Sequence, residues 1–141
     1  MDTIVGSARI NAEDRTSLTL RLPDGRRLCY AEFGDPHGLP VLAIHGTPGS
    51  RFMFGLTDKA ARERGLRVIA PDRPGYGHSD YRRNPSLMRS AEDFIALADT
   101  LELEQLAVIG VSGGGPHAIQ PHRGGDGQQC VQHHHPAPEP Q

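Results

Sequence analysis

The 141-residue sequence has no tryptophan, and only 5% of its residues are aromatic, so a hydrophobic core must consist mainly of aliphatic side chains. It has two cysteines, Cys29 and Cys130, whose wide separation argues against a disulfide framework and fits a reducing compartment. No apolar run approaches membrane-spanning length, and the N-terminus lacks the basic start and apolar stretch of a signal peptide. These absences predict a soluble, cytoplasmic protein that does not bind a membrane.

The sequence also lacks an excess of positive charge. Lys and Arg number 15 against 17 Asp and Glu, which gives a formal net charge of −2. Without a basic stripe or an aromatic-rich patch, the sequence does not indicate binding to nucleic acid. The three consecutive histidines at 133–135 are a weak metal signal, because one short run does not make a closed coordination set. We therefore expect neither a metal nor a cofactor.

The order of the apolar runs predicts an α/β fold. Two alternating runs separated by a Pro-Asp-Gly turn are typical of a hairpin. Three mainly apolar runs follow, of which residues 40–44 are continuous, and they are typical of parallel strands. The predicted strands cover residues 17–22, 27–33, 40–44, 66–70 and 105–109. A helix is predicted over residues 51–64, with Gly65 as its stop signal.

Apolar residues at helical spacing predict a second helix before the last strand. Ser90 and Asp93, three residues apart, resemble a capping box at the start of that helix. The stripe consists of Leu87, Ala91, Phe94, Ala98 and Leu101.

Three motifs follow the three buried strands. Residues 45–49 read HGTPG, residues 72–79 read DRPGYGHS, and residues 110–114 read GVSGG. The last is Gly-x-Ser-x-Gly between a strand and a helix-like segment, which is the spacing of a nucleophile elbow. Such a turn crowds the backbone around the serine, so that small residues are needed two positions before and two positions after it.

With these motifs in this order, residues 16–119 resemble the α/β-hydrolase family, in its serine-nucleophile branch. The resemblance implies the N-terminal part of that fold: an antiparallel hairpin, then parallel strands with intervening helices, in an incomplete sheet. It also implies that Ser112 is the nucleophile, with the backbone N–H groups of Gly113 and Thr47 as oxyanion-hole donors. A serine rather than an aspartate at this position indicates acyl transfer to a small-molecule ester or related substrate. The residues expected to support the site structurally are His45, Gly46, Gly110, Gly114, Asp72, Gly75 and Gly77.

The two ends of the sequence differ from its middle. Residues 1–15 are polar and predicted to be loose, and residues 120–141 contain too few apolar residues to offset their ordering entropy, so they are predicted to be a disordered tail.

The resemblance implies a triad acid and histidine that the sequence does not supply after Ser112. We therefore expect a truncated and inactive chain, with a frameshift after about His117 as one explanation. The last buried strand would then keep an open edge through which the chain self-associates.

Other interpretations stay open. The chain could be a non-catalytic remnant or binding module. Gly110-x-Ser112-x-x-Gly115 also approaches a dinucleotide-binding fingerprint, although it lacks the middle glycine and the later acidic residue. Asp126 with one of the histidines 133–135 has the chain order of a triad, but a Gly- and Pro-rich segment offers no rigid frame to hold it.

Overall fold

The computed structural model describes residues 14–111, Gly114 and residues 132–135. These segments form one six-stranded sheet in the order β1-β2-β4-β3-β5-β6. The strands are β1 (Leu18–Arg21), β2 (Arg27–Gly34), β3 (Leu39–Ile44), β4 (Leu66–Pro71), β5 (Ala107–Val111) and β6 (Gln132–His135). The helical segments are a 3-10 helix (Arg51–Thr57), α1 (Asp58–Glu63) and α2 (Leu87–Thr100). None of the helices in this part of the chain is long and apolar enough to cross a membrane.

The sheet is mixed, as the sequence predicts. β1 and β2 form the antiparallel hairpin, and β2 also pairs antiparallel with β4. β3 lies between β4 and β5 and runs parallel to both. The fold class is therefore confirmed: an antiparallel hairpin precedes parallel strands with helices between them.

Helices cover both faces of the sheet. Side chains alternate along β3, so Leu42 and Ile44 face one side and Ala43 faces the other. On the first side they pack against Phe94 and Leu97 of α2. On the second side lie two aromatic residues and small alanines that belong to β2, the 3-10 helix and α1. This two-sided burial is why β3 is a continuous apolar run and why residues 68–71, the buried part of β4, are all apolar.

The helix predicted over residues 51–64 is two helices. Residues up to Thr57 form a 3-10 helix, and only Asp58–Glu63 is α-helical. A 3-10 helix has three residues per turn, so Arg51 and Phe54 both point into the protein, and they are its two buried residues. Gly65, with φ of +66°, ends the helical segment as predicted.

The N-cap of α2 lies four residues before the predicted capping box, so that prediction is wrong. The N-cap is Ser86, whose Oγ accepts a hydrogen bond from the Arg89 N–H. Ser90 and Asp93 are instead buried within the helix, and the Asp93 carboxylate accepts hydrogen bonds from Arg26 and Arg82. The predicted stripe is buried at Ala91, Phe94 and Ala98, half-buried at Leu101 and exposed at Leu87.

β6 lies inside the segment for which the sequence predicts disorder. It pairs in parallel with β5, from Val108 opposite Gln132 to Val111 opposite His135. The expectation of an open edge along β5 is thus wrong over these residues, because the backbone of β6 covers it without needing apolar side chains. Self-association stays a prediction, and it would now use the outer edge of β6. The rest of residues 120–141, and residues 1–13, lie outside the described part of the chain.

We predict that replacing Ser86 with alanine lowers the free energy of unfolding by about 1 kcal/mol, because the first turn of α2 loses its side-chain acceptor. Ser90→Ala is the matched control: it replaces a serine in the same helix that does not cap it, and we expect a smaller loss. Urea denaturation followed by circular dichroism measures both. A larger effect at Ser90 would contradict this assignment of the cap.

Candidate active site

The three motifs meet at one edge of the sheet. β4, β3 and β5 are adjacent and parallel, so their carboxyl ends lie side by side. Ile44, the last residue of β3, pairs with Gly110 near the end of β5. The loops that follow β3 and β4, and the chain beyond Val111, therefore leave the sheet together. This is the edge at which ligands bind in open α/β sheets.

The elbow itself is described on both sides of its serine. Ser112 and Gly113 lie outside the described residues, whereas Val111 ends β5 and Gly114 is buried beyond them. The backbone of Gly114 passes so close to the end of β3 that an added Cβ would collide with the carbonyl oxygens of Ile44 and His45. The packing here leaves no room for a side chain at Gly114, and the elbow at Ser112 stays a prediction.

His45 is fully buried, and both of its ring nitrogens are engaged. Nδ1 lies 2.7 Å from the Gly46 carbonyl oxygen, and Nε2 accepts a hydrogen bond of 3.0 Å from the Arg73 N–H. Because the carbonyl can only accept and the amide can only donate, His45 must carry its proton on Nδ1. Burial lowers the pKa of the ring, which keeps it neutral. Through these two hydrogen bonds the His45 ring connects the loop after β3 with the loop after β4. Because the lone pair of Nε2 already accepts from Arg73, the ring cannot also accept a proton from a serine.

Thr47 is held from the loop after β4 through its hydroxyl. Arg73 Nη1 donates to Thr47 Oγ1 over 2.9 Å, and the Tyr76 hydroxyl lies 3.3 Å from the same oxygen. The Arg73 guanidinium stacks over the Tyr76 ring at 4.8 Å. No bond connects the backbone N–H of Thr47 with another described residue. The Thr47 side chain thus fixes the loop after β3, while the described residues leave the Thr47 backbone N–H without a hydrogen bond.

Asp72 and Arg51 form a buried ion pair beneath these loops. The exposed fractions are 0% for Asp72 and 2% for Arg51, and the Asp72 carboxylate accepts from both the backbone N–H and Nη1 of Arg51, at 2.7 and 2.6 Å. It also accepts from the His78 N–H. Gly77, with φ of +52°, passes so close that a Cβ there would overlap the Asp72 carboxylate. Gly75 has φ of +81°, so both glycines adopt backbone angles that other residues rarely adopt.

Three of these contacts are not predicted from the sequence. Arg51 is predicted only to begin a helix, and the sequence predicts no contact of Arg73 or of Tyr76 with Thr47. The one available signal for Arg51 is its position as a lone charge before the apolar residues 52–54. In the described segments, no group of three or more His, Cys, Asp or Glu side chains could hold a metal ion.

We predict that Gly114→Ala lowers the free energy of unfolding by about 1–3 kcal/mol, because the methyl group overlaps two carbonyl oxygens that cannot move without shifting β3. The matched control is Gly55→Ala. There the added Cβ meets only one atom, Phe33 Cε1 at 4.0 Å, so stability should be unchanged or slightly higher. Thermal denaturation compares the two, and an equally stable Gly114→Ala protein would contradict the packing at the elbow.

We predict that the protein loses stability as the pH falls below about 7. The folded state lowers the pKa of His45 from its ordinary value of 6.5, so the unfolded chain binds more protons in this range. The contribution of His45 is therefore fully present above the unfolded pKa and is lost as the pH falls through the folded one. Denaturation between pH 8 and 5.5 should show a pH dependence that His45→Gln reduces and that His37→Gln, at an exposed histidine, leaves unchanged.

Comparison with known proteins fits this geometry. A sequence profile described as the alpha/beta hydrolase fold matches residues 40–120, which is more than half of the chain. The hydrolase YcgS of Bacillus subtilis is 37% identical over 97 residues, which cover 68% of this chain and 33% of YcgS. A non-heme chloroperoxidase of Streptomyces lividans is 37% identical over 98 residues, which cover 69% of this chain and 36% of that protein.

An esterase of Exiguobacterium antarcticum has a similar structure. It superposes with a TM-score of 0.67 at 28% identity, over 75% of this chain and 39% of the esterase. The chain thus spans about a third of the length of the curated relatives quoted above. The profile match, the strand order and the three loops at one edge lead to the same conclusion: the chain belongs to the α/β-hydrolase fold family.

Proposed function

We propose that this hydrolase-family chain acts on esters or related acyl substrates, with Ser112 as the nucleophile. A serine hydroxyl attacks a carbonyl only when a base takes its proton. The negative charge that develops on the carbonyl oxygen needs preorganised N–H donors. In the proposal these are the backbone N–H groups of Gly113 and Thr47.

The main support is the arrangement at the end of β3. The Thr47 N–H has no described partner, although the Thr47 side chain and the neighbouring His45 ring are fixed by Arg73. Gly114, two residues after Ser112, packs against the carbonyl oxygens of Ile44 and His45. A free donor on a rigid loop beside the elbow is what an oxyanion hole requires.

The reaction class follows from the residue at the elbow. The matched proteins are named for different reactions, including an esterase and a chloroperoxidase, so family membership does not choose between them. A serine at position 112 favours acyl transfer through a covalent intermediate. A cytoplasmic location also belongs to the proposal, and the free, buried thiol of Cys29 is consistent with it.

No contact of the described residues identifies a general base for Ser112, which itself lies outside them. His45 cannot serve, because both of its ring nitrogens are engaged. We therefore expect the 141-residue chain to hydrolyse a p-nitrophenyl ester only feebly, since an oxyanion hole without a base keeps a small part of the rate. A turnover typical of a complete esterase would contradict this expectation.

A fluorophosphonate probe tests the nucleophile directly. Because no general base is identified, we expect the probe to label the full chain only slowly, at Ser112 as located by peptide mass spectrometry, and we expect Ser112→Ala to abolish the label. Labelling that persists in Ser112→Ala, or that maps to another serine, would contradict the proposal. No labelling, together with binding of NAD, would favour the dinucleotide-binding alternative. No labelling and no NAD binding would favour a non-catalytic module.

A further inference from the structure

A cleft of about 520 Å³ lies between the loop after β4 and the start of α2. Its apolar walls include Tyr76, Tyr81 and Leu87, and two arginines, Arg73 and Arg82, also line it. The lining residues include no Asp or Glu. The first turn of α2 has no acidic residue either, so the positive end of that helix adds to the charge of the cleft.

The two arginines differ in how their charges are compensated. Arg82 donates to the carboxylates of Asp93 and Glu92, at 2.8 Å in each case. Among the described residues, Arg73 has no ion pair with a carboxylate, and the hydrogen bonds and ring contact of its guanidinium are with Thr47, the His45 carbonyl and the Tyr76 ring. Burial lowers the pKa of Arg73, so the charged form is held at a cost. Arg73 is thus the uncompensated cation of the cleft.

The hydrogen-bonding edges of Arg73 show where an anion would sit. Nη1 already donates to Thr47 Oγ1 and, over 3.4 Å, to the His45 carbonyl oxygen. Nε is shielded from water and has no partner in the described part of the chain, and no bond of Nη2 to another described residue is formed. A ligand in the cleft cannot reach Nε, because that atom is shielded from water, so Nη2 is the donor that remains for an anion. A hydrogen bond from a guanidinium to a carboxylate is charge-assisted and therefore strong.

We propose that this cleft binds a small carboxylate with an apolar body. The carboxylate accepts a hydrogen bond from Nη2 of Arg73, and the body lies between Tyr76, Tyr81 and Leu87. The proposal goes beyond the hydrolase function, since it rests on the cleft and on Arg73 and not on the reactivity of Ser112. Because Nη1 of the same guanidinium holds Thr47, the ligand would lie beside the proposed oxyanion loop.

The test is an NMR titration of the full chain carrying Ser112→Ala, which removes any turnover from the measurement. Sodium benzoate is the probe, and benzamide is its neutral counterpart of the same shape. We expect benzoate to shift the backbone amides of Tyr76, Tyr81 and Leu87, and benzamide to bind at least about tenfold more weakly, because it loses charge-assisted hydrogen bonds. Shifts centred elsewhere, equal binding of both compounds, or no binding of benzoate would overturn the proposal.

Variants in the same cleft identify the arginine responsible. Arg73→Gln should weaken benzoate binding by about tenfold or more, and Arg73→Lys should retain part of it, because it keeps the charge and loses the Nη2 donor. Arg82→Gln is the matched control, and it should change binding far less, since Arg82 is already paired with carboxylates. Equal losses at both positions would overturn the assignment to Arg73. If Arg73→Gln does not fold, as judged from its spectrum, Arg73→Lys and the wild-type shift map decide the question.

Discussion

The buried pair between Arg51 and Asp72 is the interaction on which the functional edge of the sheet depends. Asp72 directly follows β4, and Arg51 starts the 3-10 helix that follows β3, so one contact fixes the two loops against each other. The Arg51 guanidinium also reaches the Thr16 carbonyl oxygen at 2.7 Å, which ties in the chain before β1. Removing one partner of such a pair leaves an uncompensated buried charge, at a cost of about 3–5 kcal/mol. That is a large part of the total stability of an ordinary domain.

Arg73, the residue after Asp72, connects the buried ion pair with the proposed oxyanion loop. The Arg73 N–H holds His45, and its guanidinium holds the Thr47 hydroxyl, so two successive residues connect the buried pair with the proposed oxyanion donor. An oxyanion hole is effective because its donors need not reorganise during the reaction. A frame made of a buried ion pair, a neutral histidine with one possible tautomer and a clamped threonine meets that requirement before any substrate arrives.

The sequence predicts well what depends on period and on local turn chemistry. The hairpin, β3, β4, β5 and the stop at Gly65 all follow from such signals. It predicts poorly what depends on partners far away along the chain. The sequence does not identify Ser86 as the N-cap, because Ser90 and Asp93 have the spacing of a capping box. In the structure, Asp93 instead accepts a hydrogen bond from Arg26, which lies 67 residues away along the chain. Likewise, β6 forms by backbone pairing with β5. A segment with few apolar side chains gives no sequence signal for such pairing.

Arg73 links the two proposals physically, because one guanidinium serves both. Its Nη1 donates to Thr47, and its Nη2 is the donor proposed for the anion. An anion at Nη2 would neutralise part of the positive charge of Arg73 beside the proposed oxyanion position. It would also immobilise the Arg73 side chain, which holds Thr47. These effects oppose each other: the first weakens the stabilisation of a developing negative charge, and the second strengthens the preorganisation of the loop. Since coupling between two sites is reciprocal, whatever binds at the oxyanion loop must change the affinity of the cleft by the same factor.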